Sequence, residues 1–195
     1  MQKSALRLEY KVEAFEQFVA LAMETEGLVV SGALKFDVRR RTRKLQYEEW
    51  QTHGYEVDLV GARADRLVLA TVKSFFGSRG VVSDHVMGLS GNTSWYALLN
   101  ESEIRAAVLA QAAKRFGYDY EHVEMRLYVG RFAGGGHEAR IREWAGSQVM
   151  GGYPLRVVGA AEVVQKVRAM AGRTQYRDHP VLASLKVLDS VGMLI

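Results

Sequence analysis

The sequence predicts an α/β fold, a mixed β-sheet flanked by helices on both faces. Three observations carry this. Residues 55–75 read as strand, tight turn and strand. From residue 101 onward, strand and helix patterns alternate. The composition, 48% hydrophobic and 25% charged over 195 residues, is that of an ordinary globular chain long enough to bury a core. Early hairpin strands followed by strand–helix alternation give a mixed rather than a purely parallel sheet.

Residues 6–26 form the first predicted helix. Val12, Phe15, Val19 and Met23 recur at three- and four-residue spacing, Phe18 and Ala22 widen the stripe, and Gly27 ends it. The helix carries Glu13 and Glu16, which the pattern alone places as solvated carboxylates. Residues 28–39 read as a strand in which Leu34, Phe36 and Val38 alternate with Lys35, Asp37 and Arg39. A basic run follows: Arg39, Arg40, Arg41, Arg43 and Lys44, five cations in six residues. Such a run either lies against something negative, of which nucleic-acid phosphate is one candidate, or is a solvated β-extension. Tyr47 and Trp50 come next and either stack on bases or pack under the hairpin.

In the central hairpin, Glu56 and Asp58 share one face by strand alternation. A two-residue turn at Ala64-Asp65 sets Asp58 opposite Thr71 and Glu56 opposite Lys73. Charged groups on a buried sheet face are costly unless paired or bound to a metal, so this placement asks for a reason. Residues 74–100 read as a long glycine-rich loop leaving directly from Lys73. Loops of that length in a compact domain tend to be functional. Ser74, Ser78, Arg79 and, more weakly, His85 are its candidate phosphate contacts. No phosphate-loop motif occurs anywhere in the chain.

Residues 101–116 form a helix with Ile104, Val108, Ala112 and Phe116 as its buried stripe, capped by Asn100 or Ser102 and closed by Gly117. Residues 123–132 read as a strand with Val123, Met125, Leu127 and Val129 on one face and Glu124, Arg126 and Tyr128 on the other. After three glycines, residues 137–148 form an amphipathic helix, 154–158 a short strand and 160–171 another helix. A last helix at 181–191 ends at Gly192. The expected division is a core of residues 1–160 and C-terminal helices, 161–195, that pack on it. The spacing favours capping of the core over a helical DNA-reading motif for those last helices.

The chain has no cysteine, which excludes disulfides, thiolate metal sites and cysteine nucleophiles. A net charge of +4 permits nucleic-acid binding without establishing it. No apolar run approaches the ~20 residues that cross a bilayer, so no membrane partner is expected. The N-terminal stretch has charge but no apolar h-region, and the protein is read as cytoplasmic. A dinucleotide-binding fold is disfavoured because no glycine fingerprint follows a first strand.

The hairpin resembles the core of the restriction-endonuclease-like superfamily, the PD-(D/E)xK nucleases. Asp58 matches the motif Asp, and Thr71-Val72-Lys73 lies where (D/E)-x-Lys stands. Thr71 is the departure, a hydroxyl in the place of an acid. The resemblance covers residues 10–132 and implies a restriction-endonuclease-like core of a helix, three meandering strands, a helix and a further strand. It also implies Mg²⁺ or Mn²⁺ held by Asp58, the Val72 carbonyl and Glu16 or Glu56. Lys73 would then orient or help deprotonate the attacking water. On that basis Asp58, Lys73, Glu16, Glu56 and Thr71 are the candidate catalytic residues. DNA is the expected partner, and a homodimer is expected by analogy. Because Thr71 replaces the acid, the alternative is an inactive nuclease-fold protein that binds nucleic acid or a protein partner, with Asp58–Lys73 as a structural ion pair. Further segments, among them residues 73–81 and 174–192, resemble uncharacterised actinobacterial proteins with a nuclease-like core.

Overall fold

The computed structural model describes residues 14–41, 50–91, 93–172 and 178–193. The expectations for residues 6–13, Arg43, Lys44 and Tyr47 lie outside them. The elements run α1 (Ala14–Glu24), β1 (Val29–Arg41), β2 (Trp50–Arg63), β3 (Arg66–Lys73), α2 (Ser83–Val86), α3 (Ala97–Asn100), α4 (Ser102–Phe116), β4 (Val123–Val129), α5 (His137–Gly146), β5 (Val149–Met150), β6 (Tyr153–Pro154), β7 (Arg156–Gly159), α6 (Ala160–Ala171) and α7 (Pro180–Ser190). The fold is α/β with a mixed sheet. Its five strands run in the order β1-β2-β3-β4-β7, and β5-β6 form a separate small ribbon. β1, β2 and β3 pair antiparallel, whereas β3–β4 and β4–β7 pair parallel. The parallel pairs need crossovers, which α4 and α5 provide.

Each face of the sheet has its own core. On one, Leu67, Leu69, Met125 and Leu127 pack with Ile104, Val108 and Ala112 of α4 and Ile141 of α5. On the other, Val68, Ala70 and Val72 pack with Phe15, Val19 and Met23 of α1, Val163 and Val167 of α6, and Leu182 and Leu185 of α7. β3 is therefore apolar on both faces, whereas β4 is apolar on the α4 side and carries the buried Glu124 and Arg126 on the other. α1 lies so close over β2 that a Cβ on Gly61 would come 2.7 Å from the Met23 methyl carbon. Among the described residues, no helix is long and apolar enough to cross a membrane.

Four differences from the sequence expectations bear on function. The hairpin β1–β2 runs further than predicted, so the basic run begins on an ordered ladder that reaches Arg41 opposite Trp50. Residues 74–100 are not a loose loop. They hold two short helices and a 3₁₀ turn, and they bury Val81, Val86, Tyr96, Leu98 and Leu99 against the sheet. Val81 and Val86 lie between glycines, and Tyr96, Leu98 and Leu99 sit in two turns of four residues each, so no helix-length period links them. Neither Asn100 nor Ser102 caps α4, since Glu101 occupies that position without a side-chain bond. The Asn100 amide instead donates to the His85 carbonyl at 3.2 Å and the Thr93 carbonyl at 2.9 Å, tying the glycine-rich segment together. Finally, strand alternation fails in the central hairpin. Val57 packs in the α4-side core, yet Leu59, two residues on, packs in the α1-side core.

Candidate functional site

Asp58 sits where that alternation breaks. Its ladder neighbours pair normally, Gly32 with Leu59 and Leu34 with Val57, but Ala33 and Asp58 between them do not. Ala33 has φ +49°, a left-handed conformation that residues with a Cβ seldom adopt. On the other side, the β2–β3 ladder agrees with a turn at Ala64-Asp65 but stops at Leu59–Ala70, one pair short of Asp58 and Thr71. The strands part there, and the Asp58 side chain enters the gap. The Val72 N–H donates to Asp58 Oδ2 at 2.6 Å, and the Thr71 hydroxyl donates to the same oxygen at 3.1 Å. One carboxylate oxygen thus replaces the lost ladder partner of β3. Among the described residues, Oδ1 has no hydrogen-bond partner.

Thr71 is 5% exposed, so its hydroxyl serves the Asp58 carboxylate rather than solvent. Lys73 ends β3, with its ammonium 5.9 Å from the centre of the Tyr96 ring and no ion pair among the described residues. The expected Asp58–Lys73 ion pair is therefore not formed. Burial pushes the Tyr96 hydroxyl up to about 12, so the ring beside Lys73 stays neutral.

Asp58, Val72, Lys73 and Ser74 line one cleft of about 740 Å³ together with Phe15 and Glu16 of α1 and the segment Phe75–Ser78. Glu16 reaches this cleft from the first turn of α1. Glu56 faces the opposite side, in a recess of about 180 Å³ that Asp58, Thr71 and Lys73 also line. The expected pairing of Glu56 with Lys73 gives way to an exposed contact with Lys35 at 3.5 Å across the β1–β2 ladder, because β3 has already left β2 at that point. Among the described residues, no three acidic, histidine or cysteine side chains stand together as a metal-binding group.

The described part of the basic run, Arg39 to Arg41, lines neither this cleft nor its neighbour. Arg39 stacks over Trp50 at 5.2 Å. Arg40 donates to the Tyr55 hydroxyl at 3.0 Å and to Glu101 at 2.5 Å. Arg41 ends β1 and is exposed. Arg79 and His85 line a neighbouring cleft with Trp95, Tyr96 and His137. Sequence reasoning passed over these aromatics. The signal was present in Phe75, Phe76, Trp95 and Tyr96 at the two ends of one glycine-rich segment.

Two backbone features hold the cleft rim. Phe75 has φ +46°, the second non-glycine residue in the left-handed region, two residues past Lys73. Such strain, of order 1–3 kcal/mol, concentrates at functional sites. Gly130 donates its N–H to the Lys73 carbonyl at 2.8 Å, and a Cβ there would collide with the Ser74 carbonyl oxygen and come 2.9 Å from the Phe76 ring. Gly130→Ala is expected to push residues 74–76 outward and cost about 1–3 kcal/mol, read as a lower urea midpoint. Compared with protein-family models, curated proteins and solved structures, the chain matches none.

Proposed function

We propose that this chain is a metal-dependent nuclease-like protein that takes a DNA phosphodiester into the cleft between α1 and the end of β3. One observation carries the reading. Asp58 is fixed through Oδ2 and, among the described residues, has no hydrogen-bond partner at Oδ1, in a cleft that Glu16 and Lys73 also line. The element order supports it too: a helix, three antiparallel strands, two short helices and a long one, then a strand parallel to the third. With the two short helices set aside, it agrees with the order that the restriction-endonuclease-like resemblance implies.

The donors suit Mg²⁺, which takes hard oxygen ligands and keeps several waters, so one or two carboxylates suffice. Asp58 Oδ1 and Glu16 would hold it, with the Val72 carbonyl as a further donor. When bound there, it supplies Lewis-acid polarisation and lowers the pKa of a water. Lys73 does the rest from the protein side. It has no ion pair among the described residues, and it would orient the attacking water or meet negative charge on the phosphorus oxygens. Thr71 holds Asp58 in position and contributes no charge.

A second reading has its own observation. Thr71 stands in the acid's place, and the described residues form no three-ligand metal group. That favours a protein of this fold that binds nucleic acid without cutting it. Incubation of supercoiled, linear and single-stranded DNA with Mg²⁺ or Mn²⁺ separates the two. Wild type is expected to cleave, and Lys73→Ala to lose about 10²–10³-fold of the rate with its melting temperature unchanged. Wild type inert on every substrate with either metal, yet binding DNA in a salt-dependent way, selects the second reading.

A further inference from the structure

A second cleft of about 530 Å³ adjoins the first, and the two share Phe75 and Ser78 as lining residues. Its character is different. Trp95 stands beside Phe75 with ring planes 25° apart and centroids 6.2 Å apart, and Trp95 is 58% exposed. Phe76, at the mouth of the first cleft, is 54% exposed and meets Phe15 edge-on at 5.3 Å. Large aromatic side chains left this open need a reason when they flank a cleft. Arg79 lines the second cleft, is exposed, and has neither hydrogen bond nor ion pair among the described residues. Lys73 lines the first and is also without an ion pair among the described residues. The acid in the second cleft, Asp84, is neutralised by Arg140 at 2.9 Å. Two cations with no ion pair among the described residues thus stand beside a run of aromatic rings, Lys73 against the Tyr96 face.

Flat aromatic surface interleaved with cations is the recognition chemistry of an unpaired nucleobase and its phosphate. We infer that the second cleft is a nucleobase subsite, in which a base of single-stranded DNA stacks on Trp95 while Arg79 and Lys73 hold its flanking phosphates. A paired base inside a duplex does not present its ring to such a platform. The inference rests on the nuclease-like reading for the direction of the strand into the first cleft, and it names that reading's substrate as single-stranded.

The test measures binding in Ca²⁺ or EDTA, so that it needs no cleavage. A short oligothymidylate and a duplex of matched length are titrated against wild type, Trp95→Ala, Trp95→Phe and Arg79→Ala, read by fluorescence anisotropy at low salt. Wild type is expected to bind the single strand at least tenfold more tightly than the duplex. Trp95→Ala should weaken single-strand binding by about ten- to a hundredfold and leave duplex binding unchanged, because removing a stacking platform affects only unstacked bases. Trp95→Phe should keep most of the affinity, and Arg79→Ala should lower the salt dependence. Trp95 is exposed, and unchanged melting temperatures exclude loss of folding as the cause. Equal affinity of Trp95→Ala and wild type overturns the inference, as does a preference for duplex or no binding of either. Because cleavage is assayed separately, a cutting enzyme indifferent to Trp95 overturns only the subsite. A non-cutting protein with Trp95-dependent single-strand binding upholds the subsite and overturns only the hydrolysis.

Discussion

Arg126→Ala is expected to destabilise the protein by about 3–5 kcal/mol, the typical result of leaving buried charges without their partner. Arg126 is 1% exposed in the middle of β4. Its guanidinium grips Glu124 through two bonds, at 2.6 and 3.0 Å, and donates to Glu26 at 2.7 Å and to the Tyr128 hydroxyl at 3.2 Å. Glu124 is 4% exposed and has a further contact with Arg66 at 3.3 Å. Glu26 is shared with Lys166 at 2.5 Å and Arg156 at 3.6 Å. The network therefore joins the chain after α1 to β4, β7 and α6. Removing its centre strands Glu124 in the core. Against a typical total stability of about 5–15 kcal/mol, the expected loss is large. Urea unfolding measures it directly. Arg126→Met combined with Glu124→Leu should recover part of the loss, since a matched apolar pair leaves no orphaned charge.

The same experiment has a pH signature. Burial alone would raise the Glu26 carboxyl, but the Lys166 hydrogen bond and the charge and hydrogen bond of Arg126 outweigh it and hold the pKa below its ordinary 4.5. A carboxyl depressed in the folded state stabilises at pH above its unfolded value and loses that contribution as pH falls through the folded one. Wild-type stability should thus decline below about pH 4.5, and the decline should be shallower in Arg126→Ala, where one cause of the depression is gone.

This network shows what sequence reading reaches and what it does not. Alternation in residues 123–129 placed Glu124, Arg126 and Tyr128 on one face, and they do share it. That this face is buried was not legible, because the partners of Arg126 and Glu26 lie 100 and 140 positions apart. The cover of α1 and α6 is a tertiary fact. The hairpin divides the same way. The turn at Ala64-Asp65 is a local property, and the ladder from Arg63–Arg66 to Leu59–Ala70 agrees with it. The parting of β2 and β3 at Asp58, and the positive φ of Ala33 opposite, come from two strands that each change faces, and no period in the sequence records that. Extrapolating the ladder three pairs past its end at Leu59–Ala70 is what set Glu56 against Lys73. In the glycine-rich segment, length and glycine content pointed to a loop. Its buried Val81, Val86 and Leu99 were too scattered to show a stripe.

Asp58→Asn is expected to lower the rate of DNA cleavage by about 10³-fold while leaving the fold nearly as stable as wild type. The two consequences separate because, on the proposed reading, the two oxygens of Asp58 would do different work. Oδ2 accepts from the Val72 N–H and the Thr71 hydroxyl where β3 leaves the ladder, and an asparagine carbonyl oxygen accepts the same two bonds. The change from charged to neutral acceptor costs about 1 kcal/mol. The other atom becomes an NH₂ group turned toward the cleft, a donor where a hard cation needs an oxygen. Loss of several kcal/mol of transition-state stabilisation corresponds to about three decades of rate at roughly 1.4 kcal/mol per decade. Asp58→Ala is the contrasting variant. It removes both functions, leaves the Val72 N–H and Thr71 hydroxyl without their acceptor, and should cost a further 1–3 kcal/mol or so in stability. Mn²⁺ titration by calorimetry, run beside the cleavage assay, places the effect. Weakened metal binding with intact DNA binding assigns Oδ1 to the metal. Full cleavage by Asp58→Asn would remove Asp58 from the chemistry and leave it as the side chain that holds β3 where β2 departs.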